Sequence, residues 1–308
     1  MAHYDYDEFG LLRENAEEAG LAFHVPPEVV RRGVEVAPRQ RVSALVWGGG
    51  EPELVLLHGG AQNAHTWDTV ALALARPMVA IDLPGHGHSD WRDDHDYSPR
   101  RNAEAVAVAL EQLAPRAVAV VGMSLGGLTA LALAAQRPDR VRRLMLVDVT
   151  PGANAVKAEP VVAFVAGPES FADFDEILAR TIAHHPTRSA ASLRRGVLHN
   201  ARPREDGRWV WRYDRQSRLR STIASGGDLG FGAYWDDVEN LRIPLLVVRG
   251  ALSGVVDDAD VAELRRRKPD AEVVPVPGAG HSVQGDQPLA LARIIQRFLS
   301  ASDEVAAR

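Results

Sequence analysis

The 308-residue chain has no cysteine, which removes disulfides, thiolate metal centres and a cysteine nucleophile together. That absence fits a reducing compartment. Basic residues number 35 against 41 acidic ones, and the two signs are interspersed, so no basic stripe exists to follow a phosphate backbone. Nucleic acid is therefore not expected as a partner. No uninterrupted apolar run reaches membrane-spanning length, and the opening Met1-Ala2-His3-Tyr4-Asp5-Tyr6-Asp7-Glu8 is acidic where a signal peptide would be basic and then apolar. The expectation is a soluble, cytoplasmic protein with no membrane partner. Internal repeats and low-complexity segments are missing as well. What is present in quantity is aliphatic bulk, enough for one large α/β domain with an insertion or for two small domains.

The most informative stretch is Ala117-Val118-Ala119-Val120-Val121-Gly122-Met123-Ser124-Leu125-Gly126-Gly127-Leu128. Its uncharged Ala/Val half suits a strand covered on both faces. The residues from Leu128 onward are good helix formers without a breaker. Ser124 sits at the join, with glycines at minus two and plus two. So tight a strand-to-helix turn forces unusual backbone angles on its central residue and leaves no room for side chains on these neighbours. In that context Gly-x-Ser-x-Gly reads as a nucleophile elbow.

Taken in order, residues 7–21 carry Phe9, Leu11, Leu12, Ala16 and Ala19 at helical spacing, predicting a surface helix docked on the body or a mobile arm. Strands are expected over residues 41–47, 53–57, 78–81, 117–121, 141–149, 242–250 and 271–276. The second of these empties into His58-Gly59-Gly60-Ala61, a small-residue loop whose backbone N–H groups can approach a developing oxyanion. His86 and His88 beside aspartates resemble a metal site, yet the further ligands that zinc requires are not at the right spacing, and a turn is the reading. Residues 151–240 lose the strand–helix alternation and gather Phe164, Phe171, Phe174, Trp209, Trp211, Tyr213, Phe231, Tyr234 and Trp235. A mainly helical insertion is expected there, its aromatics lining an apolar pocket.

Alternating strands and helices imply a parallel sheet, with reactive groups gathered at the carboxyl ends of its strands. Ser124, the His58-Gly59-Gly60 loop, Asp148 and His281 all fall at such ends. A serine hydroxyl needs a base, and His281, in a glycine-rich loop after the last strand, is placed to serve. Asp148, a charge closing an apolar strand, needs a partner.

His58-Gly59-Gly60, Asp82-Leu83-Pro84-Gly85-His86-Gly87-His88-Ser89, Gly122-Met123-Ser124-Leu125-Gly126-Gly127 and Gly278-Ala279-Gly280-His281 together resemble the α/β-hydrolase superfamily, serine-nucleophile branch. The resemblance implies an α/β fold with a mostly parallel eight-stranded sheet, helices on both faces and a helical cap inserted after the sixth strand. With the residue patterns above, the expected division is an N-terminal helical extension (1–30), a core (31–150 and 241–308) and the cap (151–240). Relatives with Asp at the elbow are dehalogenases and epoxide hydrolases; Ser124 sets those aside. In many relatives the triad carboxylate follows the seventh strand, where this chain has Ser253 and Gly254. Some members take it from the end of the sixth strand, where Asp148 stands. Asp148 is the favoured acid, Asp257 the alternative and Asp258 behind it, with helix capping as the other role open to the latter two.

The implied activity is hydrolysis of a small to medium apolar ester, thioester or lactone through an acyl-enzyme. Ser124 attacks, His281 moves the proton, Asp148 orients the imidazole, and backbone N–H groups of Leu125 and of Gly60 or Ala61 hold the oxyanion. The expected partner is a small-molecule apolar acyl substrate, and no metal or organic cofactor is required. C–C bond hydrolysis and cofactor-free perhydrolysis use the same machinery, and a ligand receptor with slow turnover is the alternative from another class.

Overall fold

Strands that are apolar on both faces need cover on both faces, and that requirement sets the architecture. The computed structural model describes residues 6–165, 167–185, 188–218, 221–222 and 229–300. Its main sheet has eight strands: β1 (Val29–Ala37), β2 (Gln40–Trp47), β3 (Leu54–Leu57), β4 (Met78–Asp82), β5 (Ala119–Met123), β6 (Leu144–Val147), β9 (Leu245–Gly250) and β10 (Glu272–Val276). A hairpin of β7 (Ala201–Pro203) and β8 (Trp209–Trp211) stands apart. The order across the sheet is β1-β2-β4-β3-β5-β6-β9-β10. Pairing is antiparallel for β1 with β2 and β2 with β4, and parallel from β4 to β10.

Side chains alternate across the sheet, so each strand feeds two cores. Val55, Leu57, Val79, Ile81, Val120, Leu144, Leu146 and Val247 pack on one face with helices α3 (Pro99–Leu113) and α4 (Leu125–Gln136). Leu54, Leu56, Met78, Ala80, Val121, Met145, Val147 and Val248 pack on the other with α2 (Asp68–Leu74) and the C-terminal helix Pro288–Ser300. Full burial of each such side chain stabilises by roughly 1.5–3 kcal/mol, so the face assignment is strongly determined.

β1 was not legible as a strand. It begins at Val29, inside the stretch read as N-terminal extension, and its residues are mostly exposed, with Arg31, Arg32 and Glu35 breaking any apolar alternation. Edge strands tolerate this because only part of one face meets the core. The anticipated helix within residues 7–21 is shorter, α1 (Leu12–Glu18), and Leu12 and Ala16 bury against the body.

Between β6 and β9 the chain forms α5 (Ala155–Val165), α6 (Phe174–His184), α7 (Ala190–Asn200) and the β7–β8 hairpin, then α8 (Tyr234–Asn240). The reading as mainly helical needs the hairpin added. Phe171, Phe174, Ile177, Val197, Leu198, Trp209, Trp211 and Tyr213 make a separate hydrophobic cluster. Phe231, Tyr234 and Trp235 instead join the main core beside α4. The aromatics of the insertion are thus chiefly its own core and a foot on the body; Phe164 and Trp211 are the two that reach the cavity described next.

Candidate active site

The chain leaves β3 toward β4 on one side of the sheet, then returns to place β5 on β3's other side. The connections diverge there, opening a crevice at the carboxyl ends of the strands. α2 packs on one face and α4 on the other. A cavity of about 370 Å³ occupies this position, lined by Gly60, Ala61, Ser124 and His281 from the body. Val161, Phe164, Val165, Leu193, Val197 and Trp211 line it from the insertion, and Asn15 from α1.

Ser124 closes β5 with φ 50° and ψ −118°, angles that non-glycine residues seldom adopt. The geometry is held by packing: a Cβ on Gly122 would lie 2.2 Å from the carbonyl oxygen of Gly126, and one on Gly126 2.4 Å from that of Leu57. Glycine is obligatory at both positions. The turn brings Ser124 to the cavity wall, at the start of α4, whose first amides have no intrahelical acceptor.

Asp148 follows β6, fully buried and also at positive φ, 50°. Its carboxylate accepts three hydrogen bonds. Gly250 N–H donates to Oδ1 at 2.9 Å, the Ser253 hydroxyl donates to Oδ2, and His281 Nδ1 lies 2.8 Å from Oδ2. With Nδ1 committed to Asp148, the other imidazole nitrogen is left for the serine side. Ser253, in the place where a carboxylate was expected, is thus a donor to a carboxylate arriving from the next strand. Asp257 lies elsewhere: it caps the helix α9 (Asp258–Arg267), accepting from Asp260 N–H at 2.9 Å, and pairs with Lys157 Nζ at 3.0 Å. Asp258 is bound by Arg249.

Ala61 holds φ 60°, and its carbonyl accepts from Asn200 Nδ2 at 2.7 Å, so the end of α7 fixes the loop after β3. Gly60 and Ala61 line the cavity, whereas the Leu125 side chain packs in the main core. Gln62 ties the same loop to the histidine loop, accepting from Gly59 N–H at 3.1 Å and from Gln284 Nε2 at 3.3 Å. His58 is structural: burial, with a smaller push from His86, brings its pKa down to about 3, so the neutral ring donates from Nδ1 to Gly59 O (2.7 Å) and accepts Leu83 N–H at Nε2 (2.9 Å). His86 is likewise buried and bound to Pro84 O at 3.0 Å.

Sequence reasoning passed over a network beneath the cavity. Glu8 reaches both His65 Nε2 (2.9 Å) and Arg31, which continues to Asp82 at 2.7 Å; Tyr6 OH lies 2.6 Å from His199 Nδ1. Burial opposes charge on His65, yet Asp68 and Glu8 raise its pKa to about 9. Burial also opposes ionisation of Glu8, and His65 and Arg31 overcome it, lowering the pKa to about 2. His65, Asp68 and His199 bring ligand atoms within 4.8 Å of one another, the arrangement a metal would need. The fit fails on geometry. The two imidazoles are stacked 3.7 Å apart and 10° from parallel, so their in-plane lone pairs cannot converge on one ion at 2.0–2.1 Å. His65 is moreover held between two carboxylates, 2.9 Å from each, as a cation without a free lone pair.

The sequence matches the family model for the alpha/beta hydrolase fold over residues 52–288. It is 50% identical over 300 residues to Esterase Rv0045c of Mycobacterium tuberculosis, covering 95% of this chain and 96% of that protein. It is 31% identical over 256 residues to the pimeloyl-[acyl-carrier protein] methyl ester esterase of Aeromonas salmonicida, covering 82% and 96%. A solved structure of the M. tuberculosis esterase superposes with a TM-score of 0.83 at 49% identity, over 96% of this chain and 99% of that one. Among the described residues no helix is long and apolar enough to cross a membrane.

Proposed function

The chain belongs to the α/β-hydrolase family, and from that premise we propose that it cleaves a small to medium ester, thioester or lactone through an acyl-enzyme, with Ser124, His281 and Asp148 as the catalytic triad. The observation that carries this reading is the 2.8 Å contact of His281 Nδ1 with the buried Asp148 carboxylate, beside a cavity that Ser124 also lines. Ser124 Oγ attacks the carbonyl carbon as its proton passes to the free nitrogen of His281. Asp148 holds the imidazole in one tautomer and stabilises the imidazolium, while Gly250 N–H and the Ser253 hydroxyl keep the carboxylate aimed. The oxyanion accepts from the Leu125 N–H and from that of Gly60 or Ala61, each donor contributing on the order of 10²–10³ in kcat. The alcohol or thiol leaves with the proton from His281, and water repeats the sequence to release the acid.

The insertion acts in this reading as the cap, with the apolar part of the acyl group against Val161, Phe164, Val165 and Leu193. Two relatives named as esterases, at 50% and 31% identity, support ester cleavage over the fold's other reactions. A fluorophosphonate probe is expected to label wild type and not Ser124→Ala, and kcat on a chromogenic acetate-to-octanoate ester panel is expected to fall on the order of 10⁶-fold in that variant. Activity within tenfold of wild type, or labelling of the variant, refutes the assignment. Tight ligand binding without labelling of wild type would favour a receptor.

A further inference from the structure

Two arginines from the insertion reach the cavity, and they are treated in opposite ways. Arg195 is saturated: Nε donates to Asn15 Oδ1 at 2.9 Å, and its Nη groups meet Glu18 and Glu14. Arg188 has one side-chain hydrogen bond, from Nη2 to Ser192 Oγ at 2.7 Å, and its Nε is buried with no acceptor. Among the described residues it forms no ion pair. The charged groups around it are Asp286, Glu18 and Arg195. Both carboxylates are already engaged, Asp286 by Gly280 N–H at 2.8 Å and Glu18 by Arg195 and Ser189. The guanidinium rests against Gly285, where a Cβ would come within 3.0 Å of its Cζ, and so lies over the short helix α10 (Val283–Asp286) that follows His281.

A guanidinium presents five donors in a planar fork suited to two carboxylate oxygens. Arg188 is half-buried on the cavity wall with its Nε shut off from water and unmet, and that cost is recovered when an anion enters. We infer that Arg188 receives a carboxylate carried by the substrate, so that the ester cleaved is the half-ester of a dicarboxylic acid or the ester of a hydroxy acid. This rests on the triad reading above and adds the chemical class of the substrate. Burial lowers the pKa of Arg188 and raises that of Asp286, the direction expected of charges that lack a direct partner.

Two isosteric pairs test it and separate acyl-side from alcohol-side placement of the carboxylate: monoethyl adipate against ethyl hexanoate, and 4-acetoxybutanoate against butyl acetate, each followed by proton release at constant pH. Wild type is expected to favour the charged member of one pair by at least about tenfold in kcat/KM. Arg188→Gln is expected to lower that charged-to-neutral ratio by about 10–100-fold, chiefly through KM, with part restored in Arg188→Lys. Arg188→Met is expected to melt at or above the wild-type temperature, because a half-buried charge without an ion pair is removed. Preference for the neutral ester in both pairs, turnover of none of the four esters, or a ratio unmoved by Arg188→Gln overturns the proposal. A melting temperature that falls in Arg188→Met while the ratio stays fixed assigns Arg188 a structural role and overturns it too. Ser124→Ala, run on the same esters, keeps the two ideas apart: turnover surviving there defeats the triad reading alone, since the Arg188 ratio is still read in wild type.

Discussion

The sheet and the segment inserted between β6 and β9 both bury large side chains, but they do so with different tolerances. In the sheet, hydrogen-bond register and two-faced packing fix each strand end, and the groups proposed for chemistry stand at those ends: Ser124 after β5, Asp148 after β6 and His281 after β10. In the insertion, edge-on aromatic contacts such as Phe171 with Trp211 (5.8 Å between centroids) and Phe174 with Trp209 (5.1 Å) join α6 and the segment ahead of it to a two-stranded hairpin, with a single antiparallel bridge between Phe171 and Trp209 in place of an extended ladder. The first region suits sub-ångström placement of reacting atoms. The second presents a cavity wall whose side chains can change without disturbing the triad.

Variants can break that contrast. The largest expected effect is in the sheet: Asp148→Asn should lower kcat by about 10⁴, because the imidazole loses its orienting acceptor, while KM moves little. Asp257→Ala should leave kcat within about twofold and cost about 1 kcal/mol in denaturant unfolding as the α9 cap is lost. In the insertion the expectation inverts. Phe171→Ala or Trp209→Ala should cost about 3–5 kcal/mol locally, raising KM and speeding amide exchange across α6 and α7 while exchange in β3, β5 and β6 stays slow. Uniform loss of protection in both regions would show that they unfold as one. Smaller again is Ser253→Ala, which removes one of three donors to Asp148; about a tenfold fall in kcat is expected, measured beside an unchanged melting curve.

The smallest effect is a pH dependence of the network joining the regions. His65 has a folded pKa of about 9 against 6.5 unfolded, so its contribution is complete below pH 6.5 and is lost as pH rises through 9. Glu8, lowered to about 2 from 4.5, contributes fully above pH 4.5 and is lost as pH falls through 2. Limited proteolysis ahead of α1 should therefore accelerate above pH 9 and below pH 4. Glu8→Gln should remove the acid arm and shift the alkaline one downward, since His65 loses a partner.

Legibility followed the same division. Short apolar runs announced β3 to β6, β9 and β10, and two-sided burial fixed their faces. Gly122 and Gly126 announced the strained turn at Ser124, because their role is steric and local. β1 escaped because an edge strand carrying Arg31, Arg32 and Glu35 has no periodic signature. The aromatics of the insertion signalled burial but not what they would be buried against, since edge-to-face clusters have no fixed spacing in sequence. Ser253 was visible as a missing carboxylate; its hydrogen bond to Asp148, 105 residues away, depends on β6 and β9 pairing as neighbours. The Tyr6, Glu8 and Asn15 contacts left no pattern at all, because single polar residues meeting distant partners repeat with no period.

Those last contacts bear on how the chain reaches its native state. Tyr6 meets His199 across 193 positions, and Asn15 meets Arg195 across 180. Closing loops of that size gives up chain entropy before any contact is gained, and both partners must already be in place. Clasping of α7 by residues 6–18 is therefore expected late in folding, after the shorter-range contacts of Glu8 with Arg31 and His65. A population should form early in refolding in which the sheet, with its serine and histidine loops, is complete while α7 is still unclasped, and it should turn over a small, water-soluble ester before the last slow phase restores selectivity.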